Sequence, residues 1–331
     1  MRIETLQRAM FRIRRAHCPD SFVSSTLPAM VFLNVLFPIL VVAIIGVVLR
    51  RTGHLNADEL ATLNFWVLSP ALIFTGLIEN EIDLRVFLDY GVFILILSLV
   101  FVVVALLIGR QSGLDLDGRS ALALALILPN TGNYGLPLLL FAFGDPGFAL
   151  GVVYLSVSTL AMSTLGIMIA TWGGARVRDP FVNVLKTPLF YAVVLAIGVR
   201  LGGVELPLFV MRPLQLLGDA AIPAMLLLLG TQLVGVEIGS RRIPIGLATA
   251  ARLGLAPLLA WGLTALLGFS GLTQSVAILQ ASMPTAVNAV VIATVYDRDP
   301  RLVSSVALAT TVLSVATLGA LLLWLGAGSG T

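Results

Sequence analysis

Two short stretches of this chain carry the residues best suited to hold a small ligand, and each is a version of the other. Near Leu128 the sequence reads L-P-N-T-G-N-Y-G, and near Met283 it reads M-P-T-A-V-N-A. In each, a proline is followed four residues later by an asparagine, Pro129 with Asn133 and Pro284 with Asn288, at an offset of 155. Proline removes a backbone donor and clashes with the carbonyl four residues back, so a helix breaks or kinks there at a cost of about 3 kcal/mol or more. The freed amides and carbonyls then need partners. The side chains at hand are Asn130, Thr131, Asn133 and Tyr134 in the first copy, and Gln280, Ser282, Thr285 and Asn288 in the second. Such a set supports reversible binding. Half-helix N-termini at the breaks would present partial positive charge to an anion without burying a full charge.

The elements that must position these residues are membrane spans. Hydrophobic residues make up 58% of the chain and charged ones 11%, with a mean hydropathy of +1.03. A soluble globule of that composition could not cover itself with polar surface. Apolar runs place helices at about Val31 to Leu49, Leu60 to Ile78, Val86 to Ile108, Ser120 to Phe143 and Phe148 to Trp172. A second set follows at Thr187 to Leu201, Pro213 to Val234, Ile243 to Leu267, Leu272 to Tyr296 and Leu302 to Leu325. The expected fold is an all-α polytopic membrane protein of ten transmembrane helices. Because each half holds an odd number of spans, the second enters the membrane from the opposite side, giving a five-plus-five inverted repeat in which helices 4 and 9 are broken; if the two breaks cross near the membrane centre, they form one site.

Further echoes support the duplication. P-A-L-I-F from Pro70 matches P-A-M-L-L from Pro223, and the run around Gly46 resembles the run around Gly198. Pro70 and Pro223 read as kinks more than as ligand contacts. In helix 4, Pro129 and Pro137 bracket Gly132 and Gly135, which weaken the helix and would let another backbone approach closely. The domain reading is residues 30–172 for the first repeat, 173–186 for a connecting loop and 187–331 for the second repeat. Residues 1–29 form a basic extension, read as lying upstream of a natural start at Met30.

Arginine distribution sets the orientation, since short cytoplasmic loops are enriched in Lys and Arg. Loops after helices 1, 3, 5, 7 and 9 carry Arg50, Arg51, Arg110, Arg119, Arg176, Arg178, Lys186, Arg241, Arg242, Arg298 and Arg301. The opposite side, the N-terminal tail aside, carries Arg85, Arg200 and Arg212. Both termini are expected outside and the central loop in the cytoplasm, in a cell inner membrane. The charge of +3 serves topology and does not suggest nucleic acid.

Ionisable residues inside a membrane are functional candidates because burial is costly. Asp219 directly precedes A-A-I-P-A in helix 7; it could take up a proton or hold a cation, or it could cap an unwound turn or face water near the surface. Arg252 lies deeper in helix 8 and could pair with a ligand carboxylate or snorkel to the interface. Glu79, Glu81 and Asp83 read as a solvated loop cluster. One cysteine, Cys18, and two histidines, His17 and His54, leave no metal site. Intramembrane proteolysis would need two close carboxylates, and Asp219 with Asp297 makes a poor pair. G-x-S-x-G and H-E-x-x-H are absent, and there is no filter-like repeat to suggest a channel.

With L-P-N-T-G-N-Y-G-L-P in helix 4, A-S-M-P-T-A-V-N-A in helix 9 and P-A-L-I-F in helix 2, the chain resembles the auxin efflux carrier family over about Val31 to Leu325. That resemblance implies a scaffold of helices 1, 2, 6 and 7 and a moving domain of helices 3 to 5 and 8 to 10. It also implies a small organic anion as substrate, malate or malonate more than auxin, and a homodimer through the scaffold. The site would lie at the crossing, at Pro129, Asn133, Pro284 and Asn288. No cofactor is expected, and proton or sodium coupling is left open. A sodium-coupled carrier like the bile acid transporters, which share the crossed-helix design, is the alternative; it would show more acids and amides at the crossing.

Overall fold

A computed structural model describes residues 32–80, 83–172, 185, 187–236 and 238–326. The basic extension and nearly all of the central loop lie outside the described residues. Among those described the chain is all-helical, and its only β-type pairing is a single bridge between Pro129 and Thr285. Among the described residues, seven helices are long and apolar enough to cross a membrane. The chain order is α1 (Phe32–Arg51), α2 (Ala57–Glu79), α3 (Leu84–Gln111), α4 (Leu116–Ile127), α5 (Thr131–Ala170), α6 (Pro188–Leu201), α7 (Leu208–Thr231), α8 (Arg242–Leu266), α9 (Gly271–Ala281), α10 (Val287–Val295) and α11 (Pro300–Trp324).

The outer faces of α1 and α3 expose Leu33, Ile44, Val48, Leu99, Val103 and Leu107, an apolar rim suited to lipid. In contrast, residues 120–127 of α4 and 276–281 of α9 are buried on every side. A helix that is apolar all round belongs in the centre of a helical protein. The two interrupted helices therefore sit innermost.

Among the described residues, four helices contain a single widened turn, at Phe32–Leu36, Asn64–Leu68, Thr131–Gly135 and Ala251–Leu255. Each ends two residues before a proline: Pro38, Pro70, Pro137 or Pro257. Proline cannot donate to the carbonyl four residues back, and the chain absorbs the mismatch by bonding one residue further along, as Ser69 N–H does to the Asn64 carbonyl.

Helix α5 is two arms. Gly144 adopts φ 63° and ψ −160°, with Pro146 just beyond, a conformation that favours glycine. The arms fold back on each other from that point. Gly147 lies against Phe143, Gly151 against Leu139 and Leu136, and the Thr131 and Ser158 hydroxyls meet at 3.4 Å. A hairpin of helices results, with its bend at Gly144.

The remaining packing exchanges elements between halves: α1 lies on α7 and α6 on α2. The α1–α7 contact is backbone-close, because Gly46 faces the Leu227 carbonyl and Gly230 the Ala43 carbonyl with no room for a Cβ. Gly198, which echoes Gly46 in sequence, faces open space. At one end of the protein, Arg298 bonds the Ala170 carbonyl at 2.7 Å and the Trp172 carbonyl at 2.6 Å, and pairs with Asp117. A cation on the last carbonyls of α5 suits the negative end of that helix.

Two sequence expectations are corrected here. Helix α7 begins at Leu208, behind Pro207, and runs through Pro213 and Pro223 without unwinding. Asp219 is therefore near its middle rather than its start, and it caps no unwound turn. The second concerns Gly135, which admits the side-chain amide of Gln280, not another backbone; Gly132 meets only Leu155.

Candidate functional site

The two breaks meet, and the backbone bonds that join them can be named. Asn130 N–H donates to the Pro284 carbonyl at 2.7 Å, and Ala286 N–H donates to the Leu128 carbonyl at 2.8 Å. These bonds flank the Pro129–Thr285 pair, whose own amides point away from the ladder. A proline at such a position forfeits nothing. Its opposite, Thr285, does have an N–H, and Thr310 of α11 accepts it at 3.1 Å.

The C-terminal ends of α4 and α9 leave carbonyls without helical donors. Arg252 supplies donors to both. Its Nη1 reaches the Leu126 carbonyl at 2.8 Å, Nη2 the Ala281 carbonyl at 2.7 Å and Nε the Met283 carbonyl at 2.8 Å. Phe101 lies beneath the guanidinium at 5.4 Å, a distance suited to cation–π attraction. The Thr285 hydroxyl donates to the Ala125 carbonyl at 2.8 Å. Arg252 is 1% exposed, so it does not snorkel, and all three of its nitrogen positions are used on backbone. The snorkelling alternative is thereby corrected. Its fork geometry, with donors on three edges, lets one side chain close two helix ends.

The other side of the crossing opens into a cavity of about 550 Å³. Here the N-termini of the α5 hairpin and of α10 converge, with Pro129, Asn130, Thr131, Asn133 and Asn288 in the wall. Neither N-cap residue, Asn130 or Ala286, bonds a first-turn amide through its side chain. Thr131 N–H is taken by the Pro129 carbonyl at 2.9 Å and Ala289 N–H by the Ala286 carbonyl at 3.1 Å, so each half-helix offers the cavity the positive end of its dipole rather than a full set of free amides. Two helix N-termini at about +0.5 charge each amount to roughly one positive charge facing the cavity. The one charged residue in the wall, Asp58, is an exposed residue at the start of α2.

The predicted site residues thus divide. Five line the cavity. Pro284 and Thr285 are buried within the crossing itself. Tyr134 is 2% exposed and turns toward Ser314 of α11, not into the cavity. Asp219 is exposed on the outer face of α7, apart from the cavity, and Arg252 lies behind the crossing, where Pro129 separates it from the cavity. Sequence reasoning missed Asn64 on α2, a 5% exposed amide in the cavity wall whose nitrogen faces Asn133 Oδ1 at a long 3.5 Å. A lone amide in the apolar run L-N-F-W-V-L, six residues before Pro70, was the available signal. Gln232 and Thr231, at the end of α7, also line the wall.

An apolar, all-helical molecule with a central crossing of broken helices and a polar cavity on one side has the form of a membrane transporter. Residues 31–322 match the family described as membrane transport protein, and the chain belongs to that family, the auxin efflux carriers. An uncharacterized transporter of Methanothermobacter thermautotrophicus is 30% identical over 85% of this chain and 94% of its own length. A second uncharacterized transporter, from Methanocaldococcus jannaschii, is 26% identical over 86% of this chain and 96% of its own. A Rhizobium meliloti protein named "Putative malonate transporter" is 29% identical over 60% of this chain and 65% of its own.

Proposed function

We propose that this protein is a carrier of small organic anions, carboxylates of about the size of malonate or malate, that works by alternating access. The observation that carries the reading is the polarity of the crossing. Both half-helix N-termini and the amides of Asn133 and Asn288 face one cavity, while the C-termini are closed off by Arg252. A cavity with about one unit of diffuse positive charge holds a carboxylate without a permanent salt bridge that would oppose release. The name of the Rhizobium relative points to the same substrate class.

The proposed architecture is ten spans in a five-plus-five inverted repeat. In it α4 with the first arm of α5 makes one broken span, the second arm of α5 another span, and α9 with α10 the other broken span. The exchange of α1 onto α7 and α6 onto α2 is what a two-fold relation between halves requires. Helices α1, α2, α6 and α7 act as scaffold, and the rest move. The cavity wall reaches Ala57 and Asp58 at the start of α2 and Gln232 at the end of α7, the side where the arginine-rich loops lie. With those loops in the cytoplasm, the conformation is inward-open. Export of a monoanion from a negative-inside cell is favoured by about 2.3 kcal/mol per 100 mV, so no coupling ion is needed, and Asp219 lies away from the path.

The test is uptake and counterflow of labelled malonate, malate, pyruvate and lactate by purified protein in liposomes, comparing the natural chain with Asn133→Ala. Saturable counterflow of one acid, reduced at least tenfold in the variant, is expected. Absence of counterflow for every acid by correctly folded protein would refute the substrate class.

A further inference from the structure

Arg252 is the single charged side chain among the buried described residues. No carboxylate accompanies it. Its partners are three backbone carbonyls and the face of Phe101. Its depth follows from those partners: Leu126 lies ten residues beyond the start of α4 and Ala281 ten beyond the start of α9. At about 1.5 Å per residue that is about 15 Å, half of a hydrocarbon core about 30 Å thick. The protein therefore holds an unneutralised positive charge at mid-membrane. The partial charges at the half-helix ends do not cancel it, because each break contributes both a negative C-terminus and a positive N-terminus.

We infer that Arg252 is the charge the moving domain carries through the membrane field when the site is empty, so that the voltage-sensitive step of transport is the return of the unloaded carrier. The inference rests on the alternating-access reading above, in which α8 belongs to the domain that moves. The charge count closes. A domain loaded with a monoanion has a net charge of zero at the crossing and crosses the field without electrical work. The empty domain carries +1 back toward the cytoplasm. One cycle moves one negative charge outward, as export of a monoanion demands, but the work is done on the way back. A dianion such as malonate makes the loaded domain −1 and puts voltage dependence on both steps. Arg252 thereby acts twice: it closes the carbonyl ends of two helices, and it sets which half of the cycle responds to the membrane potential.

The deciding measurement is voltage-jump recording from purified protein in giant liposomes, in chloride buffer free of any carboxylate. The natural chain should give a saturable transient charge movement, and saturating pyruvate, a monoanion, should suppress it. Pyruvate counterflow on the same preparation should change less than twofold over 100 mV. Net pyruvate export should change up to about sevenfold, the square root of the full-field factor for a symmetric barrier. Arg252→Lys should retain the transient and Arg252→Gln should lose it; should either fail to fold, the natural chain decides alone. Counterflow without a substrate-free transient, or counterflow as voltage-dependent as net export, would overturn this inference and leave the anion-carrier reading standing. Absence of the transient together with absence of counterflow for malonate, malate, pyruvate and lactate alike would overturn the two together.

Discussion

The two faces of the crossing begin from the same injury and end in opposite states. On the carbonyl face, groups orphaned at the ends of α4 and α9 are met by Arg252 and by the Thr285 hydroxyl, in bonds of 2.7–2.8 Å. On the amide face, the N-caps supply no side-chain bond and the groups open on a cavity of about 550 Å³. Lipid offers no water to a broken helix, so every group left in protein must find a protein partner or line a wet cavity. The molecule does one on each side. Stability is concentrated where carbonyls point, and binding capacity where amides point.

The largest effect that could break this contrast lies on the carbonyl face. Arg252→Met keeps the length of the side chain and removes all donors, leaving the Leu126, Ala281 and Met283 carbonyls unsatisfied. A hydrogen bond to a charged group contributes about 1.5–3 kcal/mol, and a buried group left unpaired costs about 1–3 kcal/mol. The expected loss is at least about 3 kcal/mol, read as a fall in thermal midpoint in detergent or as failure to purify as a single species. Arg252→Lys should recover part of it, since one ammonium reaches fewer carbonyls than the guanidinium fork. A methionine variant as stable as the natural chain would mean that the carbonyl face is not held by this residue.

On the amide face the same kind of truncation should leave stability nearly unchanged and lower transport. Asn133 is half-buried and Asn288 exposed in the cavity wall. Replacing either by alanine should shift the thermal midpoint within the range of ordinary surface changes, about 0.5 kcal/mol. Carboxylate counterflow should fall about tenfold, the equivalent of about 1.4 kcal/mol. Should both variants unfold while transporting normally per folded molecule, the assignment of roles to the two faces would be reversed. Asn64→Ala sharpens the point from the α2 side. Its wall position predicts an effect on substrate affinity of the same sign, of about threefold, in concentration-dependent uptake.

Much of this face was readable from sequence because its causes are local. A proline lacks an N–H wherever it stands, so the repeated Pro129 and Pro284 announced two breaks, and an asparagine four residues on falls within the first turn of each new half-helix. The carbonyl face was far less readable. Arg252 could be seen as an arginine within an apolar run, but its partners come from α4, from the last residue of α9 and from Met283 just beyond it, at sequence separations of 126, 29 and 31 residues. Nothing in the run A-T-A-A-R-L-G-L says that it caps two other helices. Tyr134 was misplaced for a related reason. Its neighbour Asn133 lines the cavity, but the Tyr134 side chain turns to Ser314 of α11, a partner far away in sequence that the local run does not reveal. Asp219 was misplaced because Arg212 and Pro213 looked like the edge of a span, whereas the apolar residues behind Pro207 start the helix earlier.

The smallest effect tests whether the carbonyl face is one clamp or several independent bonds. Thr285→Val removes the hydroxyl that donates to the Ala125 carbonyl but keeps the branched shape and the N–H accepted by Thr310. A single neutral hydrogen bond of this kind contributes about 1 kcal/mol, so a modest fall in thermal midpoint is expected, with counterflow unchanged because Thr285 does not line the cavity. Combined with Arg252→Lys, the losses should exceed their sum, since Ala125 and Leu126 are adjacent carbonyls of one fraying helix end and neighbours in one network couple. Simple additivity in the double variant would mean that the end of α4 is held bond by bond, and that the cation does not organise its surroundings beyond the three carbonyls it touches.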